Sequence, residues 1–202
     1  MFPQEYFERV DERDDDLFYQ EARLVVHIDD RAIAATTQLF REYLPPGGAV
    51  LDLMSSWRSH LPPEVSFQRV SGLGMNETEL RENPQLSDYV VQNLNRQPAL
   101  PYPDATFDGC TLTVSVQYLT KPVEVFSEVR RVLRPGAPFL TVFSNRMFPT
   151  KAVAVWRALD DAGHMQLVQS YYQAAGFREI SGLNRSPRGW WSDPLFAVVG
   201  RA

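Results

Sequence analysis

The chain has 202 residues, 44% of them hydrophobic, enough for one domain with a sizeable core. Its net charge of −5 speaks against a nucleic-acid partner, which needs a basic face, and no apolar run is long enough to span a membrane. The acidic opening MFPQEYFERVDERDDD is unlike a signal peptide and the single Cys110 permits no internal disulfide, so a cytoplasmic protein is expected.

Residues 1–30 hold ten acidic and three basic side chains, net −7, and residues 1–16 read as a loose acidic arm before a single domain, 17–202. Asp29 or Asp30 can cap a helix to Leu44 that turns Ile33, Phe40, Tyr43 and Leu44 inward and stops at Pro45-Pro46-Gly47-Gly48. Ala49 to Leu53 is the first strand, and Ser55 and Ser56 can cap a helix that Pro62-Pro63 keeps short. Val65 to Gly72 is a second strand. Asn76 and Glu79 form a capping box for the helix after it. Asp88 to Gln92 is a third strand, followed by a proline-rich loop through Pro103.

The best-defined stretch is 103–145. Gly109 to Val114 is a buried strand containing Cys110 as a small core residue. A helix follows, with Thr120 as cap, Pro122 in its first turn and Val125, Phe126, Val129, Val132 and Leu133 on one face. Arg130, Arg131 and Arg134 suit the helix C-terminus, and Pro135-Gly136 ends it before a strand to Phe143. Strand, crossover helix and strand of this length make a right-handed parallel unit, so the class is α/β with helices on both faces of the sheet. Met147 to Asp161 and Met165 to Ala175 read as helices, with Trp156 in the core, and Phe177 to Leu183 and Leu195 to Gly200 as the last strands. Trp190 and Trp191, in the loop between those strands, cover an edge, line a pocket or meet a partner. His164 has no partner at ligand spacing, so no metal site is expected, and GxSxG, HExxH and phosphate-loop motifs are absent.

FDGCTLTVSVQYL followed by TKPVEVFSEVRRVLRPGAPFLTVFSN resembles the second half of class I S-adenosylmethionine-dependent methyltransferases of the type 11 group. The resemblance implies a Rossmann-like, seven-stranded, mostly parallel sheet with an antiparallel last strand, S-adenosylmethionine as cofactor and a small-molecule methyl acceptor. It places Asp52, Met54, Ser55 and Ser56 in the turn after the first strand, where the family has DxGxGxG; Met54, Ser56 and Arg58 stand at the glycine positions. Gly74 stands where the family has the acid that grips the ribose, leaving Asn76 or Glu77 as substitutes. Asn93 and Leu94 take the adenine positions, and Thr113, Gln117 and Tyr118 lie at the carboxyl end of the fourth strand, where ligands bind open α/β sheets. Tyr118 offers an aromatic face to a sulfonium or is partly buried packing. A tyrosine-and-arginine segment closes over the methionine end of the cofactor in relatives. Tyr19 would meet the amino group and Arg23 the carboxylate here, with His27 the available base or a packing residue. Two readings follow: an S-adenosylmethionine-dependent methyltransferase, or a non-catalytic relative that keeps the fold as a binding module.

Overall fold

A computed structural model describes residues 2–189 and 191–202; Trp190 lies outside the described residues. Seven strands, five of them largely buried, assemble into one sheet in the order β3-β2-β1-β4-β5-β7-β6. These are β1 (Ala49–Leu53), β2 (Arg69–Gly74), β3 (Asp88–Val91), β4 (Gly109–Thr113), β5 (Pro138–Phe143), β6 (Arg178–Asn184) and β7 (Phe196–Arg201). β1 to β5 pair in parallel and β7 runs antiparallel between β5 and β6. The strand order reverses between β1 and β4, which opens a crevice at their carboxyl ends.

Helices α1 (Asp15–Phe18), α2 (Asp30–Tyr43), α3 (Glu77–Arg81), α4 (Pro122–Val132), α5 (Ala154–Ala158) and α6 (Asp161–Ala174) cover the sheet. α4 presents Val125, Phe126, Val129 and Val132 to one face, where Phe139, Tyr171 and Tyr172 also pack. α2 covers the other face around Val50, Leu140 and Val142. Its cap is Asp29, which accepts from the Arg31 and Ala32 amides. Phe40 and Leu44 are buried as expected, Ile33 and Tyr43 pack partly buried against the same core, and Ala32, Thr36 and Leu39 widen the buried stripe.

Several local expectations change. Lys121, not Thr120, holds the cap position of α4; the Thr120 amide donates to Asn95 Oδ1 (2.8 Å). β2 starts at Arg69 rather than Val65 and runs through Gly74. No helix forms between Ser55 and Pro62, because both serine side chains bond elsewhere. Residues 147–153 are not helical, and Asp160 starts α6 by accepting from the Gly163 amide (2.8 Å). His164 therefore lies inside α6, stacked on the buried Trp156 ring at 3.9 Å. Cys110 is fully buried, and no group of three potential metal ligands occurs among the described residues.

The acidic arm, read as loose, is docked. Phe2 packs edge-on against Tyr171 (5.2 Å), and the Ala154 amide donates to the Glu8 carbonyl (2.7 Å). Asp15 is buried and accepts from Arg9 Nη1 (2.6 and 2.8 Å), Lys151 Nζ (3.1 Å) and Asn95 Nδ2 (2.9 Å). Each acidic residue looked too polar to pack; the cation that makes Asp15 packable sits far along the chain. No helix of the described residues is long and apolar enough to cross a membrane.

Candidate functional site

A cavity of about 290 Å³ lies over the carboxyl ends of β1, β2 and β4, at the lower end of the range for small-molecule sites. After Leu53 the backbone turns at Met54 (φ 54°), and the Ser55 amide then donates to the Leu73 carbonyl (2.8 Å). The chain thus runs one residue further along β2 instead of entering a helix. The Ser55 carbonyl lies where a Cβ on Gly74 would be, 2.2 Å from it. Glycine is required at 74 for this close approach, so the family's acid cannot stand there.

Asp52 organises the rebuilt turn. Its Oδ2 accepts from Ser55 Oγ (2.5 Å) and Ser59 Oγ (2.7 Å), and its Oδ1 from Thr111 Oγ1 (3.1 Å). Asn83 Nδ2 donates to the Ser56 carbonyl (2.8 Å) and to Ser59 Oγ (2.9 Å). Burial pushes the Asp52 carboxyl up to about 6, against the lowering effect of the three hydroxyls. Ser55 and Ser59 are built partners of one buried carboxylate, while Ser56, the serine at a glycine position, donates to Glu79 instead.

Residues from Tyr19 to Ile28 line one side of the cavity. Asn76 caps α3 with its carbonyl and donates its amide to the Tyr19 (2.9 Å) and Gln20 (3.1 Å) carbonyls. Glu79 does not close a capping box; its carboxylate accepts from the Arg23 amide (2.6 Å) and from Ser56 Oγ (2.7 Å). Trp57 Nε1 donates to the Val25 carbonyl (2.8 Å). The Arg23 guanidinium lies over the Phe18 ring (4.5 Å) and near Tyr19 and Phe148, and among the described residues it bonds only the Phe18 carbonyl (2.8 Å).

Thirteen of the sequence-predicted residues line this cavity: Tyr19, Arg23, His27, Asp52, Met54, Ser55, Ser56, Gly74, Asn76, Asn93, Leu94, Thr113 and Tyr118. Gln117 does not. It is fully buried behind the wall and donates to the Val114 (3.1 Å) and Arg146 (3.2 Å) carbonyls, because the chain coils into a short 3-10 turn at Val116–Tyr118. Asn93 is at the rim but engaged: its carbonyl accepts from the Asn95 amide (3.0 Å) and its amide donates to Asp16 (3.0 Å). The Tyr118 hydroxyl accepts from the Phe148 amide (2.8 Å), and burial pushes its pKa up, so it is an anchor for residues 146–148 rather than a base. His27 stacks edge-on against Phe148 (5.2 Å). Desolvation and the nearby Arg23 charge lower its pKa despite Glu79, which keeps the ring neutral at neutral pH. Trp57, His60 and Phe148 line the cavity too without any sequence signal for it, and so do Glu79 and Arg58, which the sequence marks only as a capping-box residue and a replaced glycine.

Strain and an orphaned group mark the wall. Val114, β-branched, is held at φ 51°, and the buried Thr113 Oγ1 has no hydrogen-bond partner. Such outliers gather at ligand sites.

A seven-stranded sheet in this order, with its antiparallel β7 and a cavity at the carboxyl ends of β1 and β4, is the class I methyltransferase fold. Solved structures agree. A SAM-dependent methyltransferase from Aquifex aeolicus matches with a TM-score of 0.60 at 17% identity, over 84% of this chain and 90% of that one. The [4+2]-cyclase SpnF matches at 0.62 with 15% identity, over 82% and 80%. Identities this low show the fold alone. In sequence, residues 65–141 match the type 11 family model described as a methyltransferase domain. The biotin biosynthesis bifunctional protein BioHC of Teredinibacter turnerae is 27% identical over 110 residues, which is 50% of this chain but only 19% of that protein. The match to the methyltransferase-domain family model thus covers residues 65–141, less than half of the chain, and the fold around it is that of class I methyltransferases.

Proposed function

We propose that the protein is an S-adenosylmethionine-dependent methyltransferase for a small molecule, acting in the cytoplasm. The observation that carries this is the cavity at the switch between β1 and β4, walled by the strained Met54 and Val114 and the unpartnered Thr113 hydroxyl.

The residues present fit the cofactor with one exchange. Arg23 has a guanidinium with no carboxylate partner among the described residues, suited to a two-pronged contact with an amino-acid carboxylate, and Tyr19 lies beside it. Met75 and Leu94 supply apolar walls for a purine. The ribose acid missing at Gly74 is supplied from one turn into α3: Glu79 uses one acceptor site on each oxygen for the Arg23 amide and the Ser56 hydroxyl, and a carboxylate has about four. When bound, the cofactor supplies a methyl group already activated on a sulfonium. The protein's share is orientation: Tyr118 presents its ring, residues 19–28 exclude water as a lid, and neutral His27 can take a proton if the acceptor must lose one.

A thermal-shift titration with S-adenosylhomocysteine tests this. A ligand at one hundred times its Kd adds about 2.7 kcal/mol, and each kcal/mol moves Tm by about 2–4 °C in a domain this size. A rise of several degrees is expected. A flat response at millimolar ligand would favour the non-catalytic reading, whose own support is the Ser55 carbonyl packed over Gly74 and the missing helix after β1.

A further inference from the structure

On the cavity lining, Arg58 stacks its guanidinium on Trp57 at 3.9 Å and, among the described residues, donates only to the Trp57 carbonyl (3.1 Å). No carboxylate pairs with it among the described residues. The acids that share the cavity are committed: Asp15 to Arg9 and Lys151, Asp52 to hydroxyls, Glu79 to the lid. The third arginine of the lining, Arg146, is held by Asp193 at 2.8 Å. Arg23 answers the carboxylate of the cofactor under the reading above, which leaves Arg58 as a second uncompensated cation on the lining.

Apolar surface surrounds that cation. Val25 and Val26 line the cavity yet are 53% and 44% exposed, and Met147 opposite them is 37% exposed. The Trp57–Val25 hydrogen bond places the Val25 backbone beside the Trp57 ring on which Arg58 stacks. An exposed apolar rim beside an unpaired guanidinium complements a molecule that is apolar along its body and negative at one end.

We infer that the methyl acceptor is an anionic amphiphile, its charged head held by Arg58 and its apolar body laid across Val25, Val26 and Met147. This deepens the proposed function and depends on it only for the word acceptor. The binding site itself stands on the surface chemistry. Three unequal outcomes of the same geometry are separated by the head group: a cationic or neutral amphiphile gains nothing from Arg58, and a bilayer would use the exposed valines without needing a monomer in the cavity.

The test is calorimetric titration of the full chain with decanoate, below its micellar concentration, beside decyltrimethylammonium and phosphatidylglycerol vesicles. Decanoate should bind and the cationic probe should not. Arg58→Gln should weaken decanoate at least tenfold, and Arg58→Lys, which keeps the charge, should lose less. Val25→Ser with Val26→Ser should also weaken it, and the S-adenosylhomocysteine affinity of Arg58→Gln should stay within twofold of wild type. Arg58 is exposed, so folding of its variants is checked by circular dichroism and is expected intact. Equal binding of the two decyl probes, an unchanged Arg58→Gln, or binding to vesicles without binding to monomeric decanoate would each overturn the inference. Failure of S-adenosylhomocysteine to bind while decanoate still does would overturn the proposed function and leave the anion site standing.

Discussion

Replacing Asp15 with alanine removes a carboxylate that Arg9, Lys151 and Asn95 share. The three charged side chains are 8%, 4% and 1% exposed for Arg9, Asp15 and Lys151, so water does little to replace what is lost. Removing one partner of a buried pair typically costs about 3–5 kcal/mol, because the other charge stays buried without compensation. Lys151 keeps the Arg13 carbonyl (2.7 Å), the Asp11 carbonyl (3.2 Å) and a longer contact to the Asp11 carboxylate (3.6 Å), which puts the loss at the low end, about 3 kcal/mol. At about 2–4 °C per kcal/mol, Tm should fall by about 6–12 °C. Urea denaturation followed by far-ultraviolet circular dichroism gives the free energy, and calorimetry the midpoint. The double variant Asp15→Leu with Lys151→Met, which removes that pair of charges and leaves Arg9 its contact to Glu12, should recover part of the loss. The wild type should also be acid-sensitive here. Burial pushes Asp15 up, but hydrogen bonds from Arg9, Asn95 and Lys151 outweigh it and leave the pKa below its usual value. Stability from this group is therefore present above the unfolded pKa and is lost as pH falls through the folded one. It also follows that deleting residues 1–28, which a loose arm would tolerate, strips Lys151 of its partner and costs the domain its stability. An Asp15→Ala midpoint within about 2 °C of wild type would show that the arm contributes nothing and refute the docking argument.

Gly74→Asp, which reinstates the family's acid, should destabilise by about 1–3 kcal/mol and abolish S-adenosylhomocysteine binding, since its Cβ meets the Ser55 carbonyl at 2.2 Å; a gain in affinity by titration would contradict the close-approach reading. Glu79→Gln should weaken S-adenosylhomocysteine about tenfold, the value of one charge-assisted hydrogen bond, and an unchanged Kd would return Glu79 to a lid anchor only. Asp52, raised to about 6 from 3.8, binds its proton more tightly in the folded state, so wild-type stability falls as pH rises between those values, by about 3 kcal/mol. Asp52→Asn should lack that component, and parallel pH-dependent urea curves for the two proteins would disprove it.

Local pattern was enough for the parallel core. The 3.6-residue spacing of Val125, Phe126, Val129 and Val132, with Pro122 before and Pro135-Gly136 after, determines a helix between two apolar strands, and handedness then admits one arrangement. Asp52, Leu94 and Thr113 owe their assignment to the family resemblance rather than to local pattern, and all three line the cavity. What the sequence could not decide was where polar side chains spend their hydrogen bonds. Glu79 has the spacing of a capping box, yet the lid amide of Arg23 and the hydroxyl of Ser56 are better partners than its own helix end. Asn93 has the position of an adenine contact, yet its amide is taken by Asp16 of a segment read as loose. Hydrophobic burial follows a period written along a few residues. Pairing of charges and amides depends on which distant segments arrive beside them, and only the folded chain brings Asp15 to Lys151 and the Ser55 carbonyl to Gly74.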